Sequence, residues 1–312
     1  MSSAADEIAV GRARLTRSAA VASITMAVCL GALKAWAAWR TDSTAMLGSL
    51  ADTALDFVAS VATLVGVSVA AQPADAEHRF GHGKAEALAA MFQVILIALS
   101  AAAIAFRGVL RLANGGQTSE AGEGIVVSVI AIAATFALLA WQRHVIRHTD
   151  SVAIKTDNVH YKSDLLLNLA VIAALVLDQW FGVAAADPLF GLAIAAWLGW
   201  GAWGASQQAI EQLMDREWPE PKKKRFLEVI ARHPELRGIH DLRTRTSGNR
   251  DFVQFHVWVD GNMSVAAAHD VMDSIEAKLQ SEFPGVEILI HPDPEGHIDP
   301  GLAGPALALT KG

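Results

Sequence analysis

The stretch VHYKSDLLLNLAVIAALVLDQW, residues 159–180, decides the fold class of this chain. Most of it is an apolar run, and with the residues just before it the segment is long enough to cross a bilayer, which takes about 20 helical residues. His160 and Asp164 lie four residues apart at its start, so they share one face of a helix. Ionisable groups are costly inside a membrane and usually serve a function there. The stretch therefore predicts a membrane-spanning helix that contains part of a functional site.

Five further apolar segments of similar length occur in the chain. Its 312 residues are 53% hydrophobic and only 18% charged, with a mean hydropathy of +0.33, whereas soluble domains are about 25% charged. The predicted spans are 18–39, 45–71, 86–111, 124–147, 151–179 and 188–213. Asp150 or Ser151 is suited to cap the fifth helix at its N-terminus. We therefore predict an all-α membrane domain of six helices.

The charge distribution indicates the orientation and excludes some functions. Lys and Arg are concentrated in the connections on one side of the predicted spans, which predicts that both termini face the cytoplasm. A net charge of −7, with no basic stripe interleaved with aromatic residues, argues against nucleic-acid binding. The single cysteine, Cys29, excludes a disulfide framework or a cysteine-based zinc cluster within one chain.

A second pair of ionisable residues occupies the second span. Asp52 and Asp56 have the same four-residue spacing as His160 and Asp164, and both pairs lie roughly 12–14 Å inside their helices at 1.5 Å per residue. Two antiparallel helices would bring the four side chains to one point, where three carboxylates and an imidazole suit Zn²⁺ or a similar divalent ion. The alternative is that these are polar residues hydrogen-bonded between helices.

The connection between the second and third spans, QPADAEHRFGHGKAEALAAM (72–91), contains another candidate metal site. Asp75, His78 and His82 have spacings of three and four, which suit a compact site with one oxygen and two nitrogen ligands. Three protein ligands leave a coordination position open, so this site would be weaker or regulatory. The alternative is a solvated loop with incidental histidines.

From about residue 215 the chain is polar and predicts a small α+β domain with the element order αββαβ. His240 and His256 are equidistant from Gly248 in a predicted hairpin, so they are expected to be cross-strand neighbours. His269 lies on the second helix, and His291 and Asp293 end the last strand. These residues predict a site for one or two zinc-like ions, although any one histidine alone would more often be an ordinary surface residue. The predicted domains are a flexible segment at 1–14, a transmembrane transport domain at 15–214, a cytoplasmic domain at 215–295 and a disordered tail at 296–312.

These residues resemble the cation diffusion facilitator family, specifically its bacterial YiiP-type zinc and iron exporters. The resemblance covers roughly residues 15–295 and rests on six motifs in the expected order: ADTALD (51–56), QPADAEHRFGHGKAE (72–86), VHYKSD (159–164), LMDREWP (213–219), HDLRTRTSG (240–248) and IHPDP (290–294).

The resemblance implies a homodimer in the bacterial inner membrane, with six transmembrane helices per subunit and a cytoplasmic domain of metallochaperone-like, ferredoxin-like fold. It assigns the transport site to the four intramembrane residues and a second site to the loop. The cytoplasmic histidines and Asp293 would form a binuclear site that helps hold the dimer together. It also implies that Lys84 pairs with Asp215 at the membrane surface.

The sequence thus predicts a proton-coupled antiporter that exports Zn²⁺ from the cytoplasm, with Fe²⁺ and Cd²⁺ as other candidate substrates. A membrane-embedded zinc hydrolase is disfavoured, because the chain has neither H-E-x-x-H nor G-x-S-x-G. The chain also has no ATP-binding G-x-x-x-x-G-K-[ST] loop, which argues against direct ATP drive. A divalent-metal sensor without transport is the alternative, but the intramembrane residues would then have no purpose.

Overall fold

The computed structural model describes residues 4–41, 44–113, 125–181, 185–232, 236, 238–248, 250–297 and 307–308. They form two compact units, one comprising residues 12–210 and the other residues 211–312 together with 1–11. Each unit has its own architecture.

Six long helices make up the first unit, within the described residues. They are α1 (Ala4–Thr41), α2 (Thr44–Ala70), α3 (Lys84–Ala113), α4 (Ile125–Thr149), α5 (Val152–Phe181) and α6 (Ala186–Leu213). Helix α1 is helical from Ala4, which includes most of the segment 1–14 for which the sequence predicts flexibility, because that segment is rich in good helix formers and has no proline. Each of the six predicted spans is matched by one helix, which confirms the all-α membrane domain.

Helix α5 differs from the other five in its charge. Among the described residues, α1, α2, α3, α4 and α6 each contain a segment long and apolar enough to cross a membrane. Helix α5 has four charged residues in its first half: Lys155, Asp157, Lys162 and Asp164. Inside a bundle such groups need partners from the neighbouring helices, and α5 packs against α2, α3 and α4.

Short polar contacts and small residues fix how these helices pack. The side chain of Ser151 accepts a hydrogen bond from the backbone N–H of Ile154 at 3.2 Å, which confirms the predicted N-terminal cap of α5. On α2, a Cβ added at Gly66 would lie only 2.3 Å from the Cβ of Ala89 on α3. Glycine at this position therefore allows the two helices to approach closely, as is common in membranes.

The second unit has the predicted αββαβ order. Its elements are α7 (Glu220–Ala231), β1 (Gly238–Ser247), β2 (Arg250–Val259), α8 (Val265–Glu282), β3 (Val286–Pro294) and β4 (Leu307–Ala308). The sheet has the strand order β3-β2-β1-β4, with β1 and β2 antiparallel and β2 and β3 parallel. The core between the helices and the sheet contains the buried side chains of Phe226, Phe255, Ile275 and Leu279.

The short strand β4 falls in the segment 296–312, for which the sequence predicts disorder. Leu307 pairs with Ile239 and Ala308 with Gly238, at the edge of β1. The rest of that segment from residue 298 onward lies outside the described residues.

A bulge in β1 determines which residue of β2 lies opposite His240. From Ser247 opposite Arg250, the ladder continues regularly to Arg243 opposite Gln254 and then shifts, so that His240 pairs with His256. Asp241, within the bulge, has a φ of +48°. The predicted pairing of the two histidines is confirmed, and the extra residue of the bulge is what produces it.

Candidate metal-binding sites

The intramembrane candidate site joins α2 to α5. His160 Nε2 lies 2.9 Å from Asp56 Oδ1 and 3.8 Å from Asp164 Oδ2. The imidazole is buried, whereas the two carboxylates are partly exposed. The three side chains form a group whose ligand atoms all lie within 4.8 Å of one another. One nitrogen and two carboxylates in this arrangement suit a divalent metal ion.

Tyr161, next to His160, holds the two helices together at this point. Its hydroxyl lies 3.0 Å from Ser60 Oγ on α2 and donates to the backbone oxygen of Ser23 on α1 at 3.1 Å. The side chain is almost fully buried. Because it bonds to two neighbouring helices, the turn of α5 that contains His160 has a defined position relative to Asp56.

Asp52 lines the same cavity, which has a volume of about 520 Å³, but it is not part of the close group. Lys34 of α1 and Arg107 of α3 also line this cavity. The two cations of this cavity therefore come from helices other than α2 and α5. Of the four predicted intramembrane ligands, the structure thus brings three together and places Asp52 nearby.

Asp157, one turn before His160, is a buried residue that the sequence analysis missed. Its carboxylate accepts hydrogen bonds from Ser23 Oγ at 2.6 Å, Gln93 Nε2 at 2.9 Å and Gln142 Nε2 at 2.8 Å. These donors come from α1, α3 and α4, so Asp157 links α5 to three helices. A buried carboxylate with three donors is satisfied without a metal ion. The lone signal in the sequence was an unexplained Asp near the start of a membrane helix.

The loop between α2 and α3 brings its three predicted ligands together. His78 Nδ1 and His82 Nε2 each lie 3.3 Å from an oxygen of Asp75. Asp75 also accepts hydrogen bonds from the backbone N–H groups of His78 and Glu77, and the bond from His78 is the main reason that the pKa of Asp75 lies below its usual range. The Nδ1 atom of His82 is buried without a hydrogen-bond partner among the described residues.

In the second unit, three histidines form a row across the sheet. His240 pairs with His256, and His256 pairs with His291 on β3. Asp293 Oδ2 lies 3.1 Å from His240 Nε2 and 2.8 Å from His256 Nδ1, whereas its Oδ1 lies 3.3 Å from His291 Nε2. Both nitrogens of the buried His240 lack a well-aligned hydrogen bond within the described part of the chain. Buried polar atoms without a partner need an explanation, and an ion bound beside the carboxylate of Asp293 would provide one.

His240, His256 and Asp293 form a group whose ligand atoms lie within 4.8 Å of one another, and the other two predicted ligands, His291 and His269, lie outside it. His269 is on α8, its side chain is 74% exposed, and its nearest acidic partner is Asp273 at 3.6 Å. His269 and Asp293 nevertheless line one cavity of about 830 Å³.

Asp215, predicted to pair with Lys84, lies 3.5 Å from Arg245 within its own unit. The pairing with Lys84 stays a prediction.

Comparison with known proteins gives a consistent result over nearly the whole chain. Residues 20–214 match the family described as the cation efflux transmembrane domain, and residues 218–295 match the cytoplasmic domain of cation efflux proteins. The cation-efflux pump FieF of Pectobacterium atrosepticum is 42% identical over 90% of this chain and 94% of its own length. The FieF pump of Klebsiella pneumoniae is 38% identical over 93% of this chain and 97% of its own length.

Two solved structures also match part of the chain. One is the zinc form of the putative zinc transporter CzrB, with 36% identity over 28% of this chain and 99% of that chain, and a TM-score of 0.25. The other is the metal-bound C-terminal domain of the CzcD transporter from Thermotoga maritima, with 26% identity over 26% of this chain and 100% of that chain, and a TM-score of 0.25.

Proposed function

Because this chain belongs to the cation efflux family of membrane transporters, we propose that it exports Zn²⁺ from the bacterial cytoplasm in exchange for protons. Efflux of divalent metal cations is the activity of the family, and the chain is a transporter rather than an enzyme. The metal and the coupling ion are our proposal. Fe²⁺ and Cd²⁺ are the other candidate substrates, since nitrogen and carboxylate ligands also bind them.

The observation that supports this most is the group formed by Asp56, His160 and Asp164 in a cavity within the helix bundle. Two carboxylates at this depth would be costly without a compensating positive charge, and a divalent cation supplies it. Asp52 lines the same cavity. We propose that Asp52 completes a four-ligand site when the metal binds, since zinc sites held entirely by protein are almost always four-coordinate.

Proton exchange follows from the same ligands. A metal ion binds carboxylates and imidazoles in their deprotonated forms, so binding releases protons and an increase in external acidity favours release of the metal. His160 contacts both carboxylates, so a proton on its ring would be shared with Asp56 and Asp164 rather than belong to one residue. An exchange of this kind needs no ATP.

The other two candidate metal sites, in the loop between α2 and α3 and in the cytoplasmic domain, would support transport from the cytoplasmic side. We propose a domain division at about residue 215, with both termini in the cytoplasm and the protein in the inner membrane. The cytoplasmic domain of this family supports dimerisation and binding of divalent metals. In this chain the proposed binuclear zinc site consists of His240, His256, His269, His291 and Asp293. The Lys84–Asp215 pairing would join the subunits at the membrane surface.

Proton counterflow in proteoliposomes tests this proposal. The purified protein is reconstituted with a pH-sensitive dye inside the vesicles, and Zn²⁺ is added outside. We expect Zn²⁺-dependent proton release that is absent from protein-free vesicles and is also produced by Fe²⁺ or Cd²⁺ if the site tolerates them. Zn²⁺ flux without proton movement would remove the coupling, and no flux with intact Zn²⁺ binding would favour a metal sensor.

A further inference from the structure

A second cavity in the membrane domain, of about 1010 Å³, lies between α4, α5 and α6. None of the residues that line it lines the cavity of the proposed transport site. Four cations line it and no carboxylate does: Arg143, Arg147, Lys155 and Lys162. A cavity with four positive charges repels a divalent metal ion, so it is not suited to metal entry.

Three of these four cations have no partner among the residues that the structure describes. Lys155 pairs with Asp150 at 2.6 Å. For Arg143, Arg147 and Lys162, the described part of the chain provides no hydrogen bond or ion pair. Positive charges in or near a membrane need compensation, and the described residues provide it for Lys155 alone among the four.

The direction of the helices brings the charged groups together. Lys162 is ten residues after the first residue of α5, roughly 15 Å along the helix, and Arg143 is six residues before the last residue of α4, roughly 9 Å from that end. Side chains on a helix lean toward its N-terminus. Helix α4 ends, and α5 begins, at the same side of the membrane. The side chain of Arg143 therefore leans away from that side, into the membrane, whereas the side chain of Lys162 leans toward it. This brings the two charges to a similar depth.

The deeper part of the cavity is apolar. Phe136, eleven residues before Arg147 and therefore roughly 16 Å further along α4, lines it together with Trp200 of α6. The two aromatic residues are 55% and 79% exposed. The cavity is thus cationic near the membrane end and apolar further in, which is the polarity of a phospholipid from headgroup to acyl chain.

We propose that this cavity is a specific site for an anionic phospholipid. Its phosphate would contact Arg143, Arg147 and Lys162, and an acyl chain would lie along Phe136 and Trp200. Basic pockets between transmembrane helices bind anionic headgroups in this way. A free phosphate would use the cations but not the apolar part. The inference depends on membrane insertion and does not depend on which ion is transported.

Removal of charge tests the headgroup contacts. The double variant Arg143→Gln/Arg147→Gln is compared with Arg14→Gln/Arg17→Gln, which removes two exposed cations from α1 outside the cavity. Binding of phosphatidylglycerol, phosphatidylcholine and glycerol 3-phosphate to the purified full chain is measured by native mass spectrometry. We expect about thirty-fold weaker phosphatidylglycerol binding in the cavity variant, or about 1 kcal/mol for each cation, and no change in the α1 variant. Equal loss in both variants, or equal binding of phosphatidylcholine, would overturn the proposal, and so would glycerol 3-phosphate binding as tight as that of the lipid.

Filling the cavity without changing its charge is an independent test. A Cβ added at Gly204, which lines the cavity, or at Gly199, which does not, would meet no atom within 4 Å. Both residues lie on α6, so Gly204→Leu and Gly199→Leu are matched in helix propensity and size. We expect Gly204→Leu to lower phosphatidylglycerol binding at least tenfold and Gly199→Leu to leave it unchanged. Unchanged binding in Gly204→Leu would contradict a lipid inside this cavity.

Discussion

His160 Nε2 lies 2.9 Å from Asp56 Oδ1, and this contact joins α5 to α2 across 104 positions in the sequence. Both residues belong to pairs with four-residue spacing, so each helix contributes two side chains to one cavity. The nitrogen and oxygen atoms of this hydrogen bond are also the ones that a metal ion would bind. Metal and proton would therefore compete for a single set of atoms.

Replacement of Asp56 by Asn keeps the size of the side chain and removes its charge. We expect Asp56→Asn to weaken Zn²⁺ binding at one site by more than tenfold, because a neutral amide oxygen is a poorer zinc ligand than a carboxylate. Calorimetric titration of the purified protein measures the affinity and the number of ions bound. Asp187→Asn is the control, since Asp187 pairs with Arg111 away from this cavity. Equal affinity in Asp56→Asn and wild type would exclude Asp56 as a ligand.

Asp157 is predicted to hold the helices together rather than to bind metal. In Asp157→Ala, hydroxyl and amide donors from three helices lose their buried acceptor, at a cost of roughly 1–3 kcal/mol for an unsatisfied group. We expect the melting temperature to fall by roughly 5–10 °C in detergent. Asn158→Ala, which removes one hydrogen bond to Gln142, should lower the melting temperature by less. Equal melting temperatures for the two variants would contradict this role.

The two oxygens of Asp293 face different histidines, and this predicts that they serve two ions. Oδ2 approaches His240 and His256, whereas Oδ1 approaches His291. We therefore expect Asp293→Asn to reduce the zinc content of the cytoplasmic domain by two ions per chain, and His240→Ala to reduce it by one. Zinc is measured by elemental analysis of the dialysed full-length protein. Loss of one ion in both variants would indicate a mononuclear site.

In the loop between α2 and α3, Asp75 has a structural role that can be separated from metal binding. Backbone N–H groups of His78 and Glu77 donate to it and lower its pKa. A carboxylate with a lowered pKa stabilises the turn at any pH above its ordinary range and loses this effect only as the pH falls through the lowered value. We therefore expect amide-exchange protection of Glu77 and His78, corrected for intrinsic rates, to be the same at pH 7 and pH 5.

The variant Asp75→Asn separates the two roles. Asparagine can still accept both backbone hydrogen bonds but lacks the negative charge, so we expect the protection to persist while Zn²⁺ binding at the loop weakens. Protection that disappears in Asp75→Asn would show that the charge itself maintains the turn. Protection that falls between pH 7 and pH 5 in the wild type would contradict the lowered pKa of Asp75 as the stabilising factor.

The sequence was sufficient to predict what depends on local spacing. Four-residue spacing identified both halves of the intramembrane group, and equal distance from Gly248 identified the histidine pair of the hairpin. The pairing nevertheless depends on a feature that the sequence does not show. The regular ladder from Ser247 opposite Arg250 is out of step by one residue, and the bulge near Asp241 corrects it. A bulge depends on the packing of the whole sheet, which a single strand does not reveal.

The sequence was insufficient where function depends on several helices at once. The three donors to Asp157 lie 134, 64 and 15 positions away, and no periodicity relates them. The position of Asp52 beside the close group, with Lys34 and Arg107 lining the same cavity, depends likewise on how α1 and α3 pack. Such arrangements follow from tertiary packing rather than from any local pattern.

The most direct test of the account is Zn²⁺ flux into proteoliposomes under an imposed pH gradient, with wild type, Asp164→Asn and the control Asp187→Asn compared at equal protein density. The account predicts gradient-dependent flux in wild type and in Asp187→Asn, and flux at the level of empty vesicles in Asp164→Asn. Wild-type flux in Asp164→Asn would contradict it, because the group formed by Asp56, His160 and Asp164 would then not lie on the transport path.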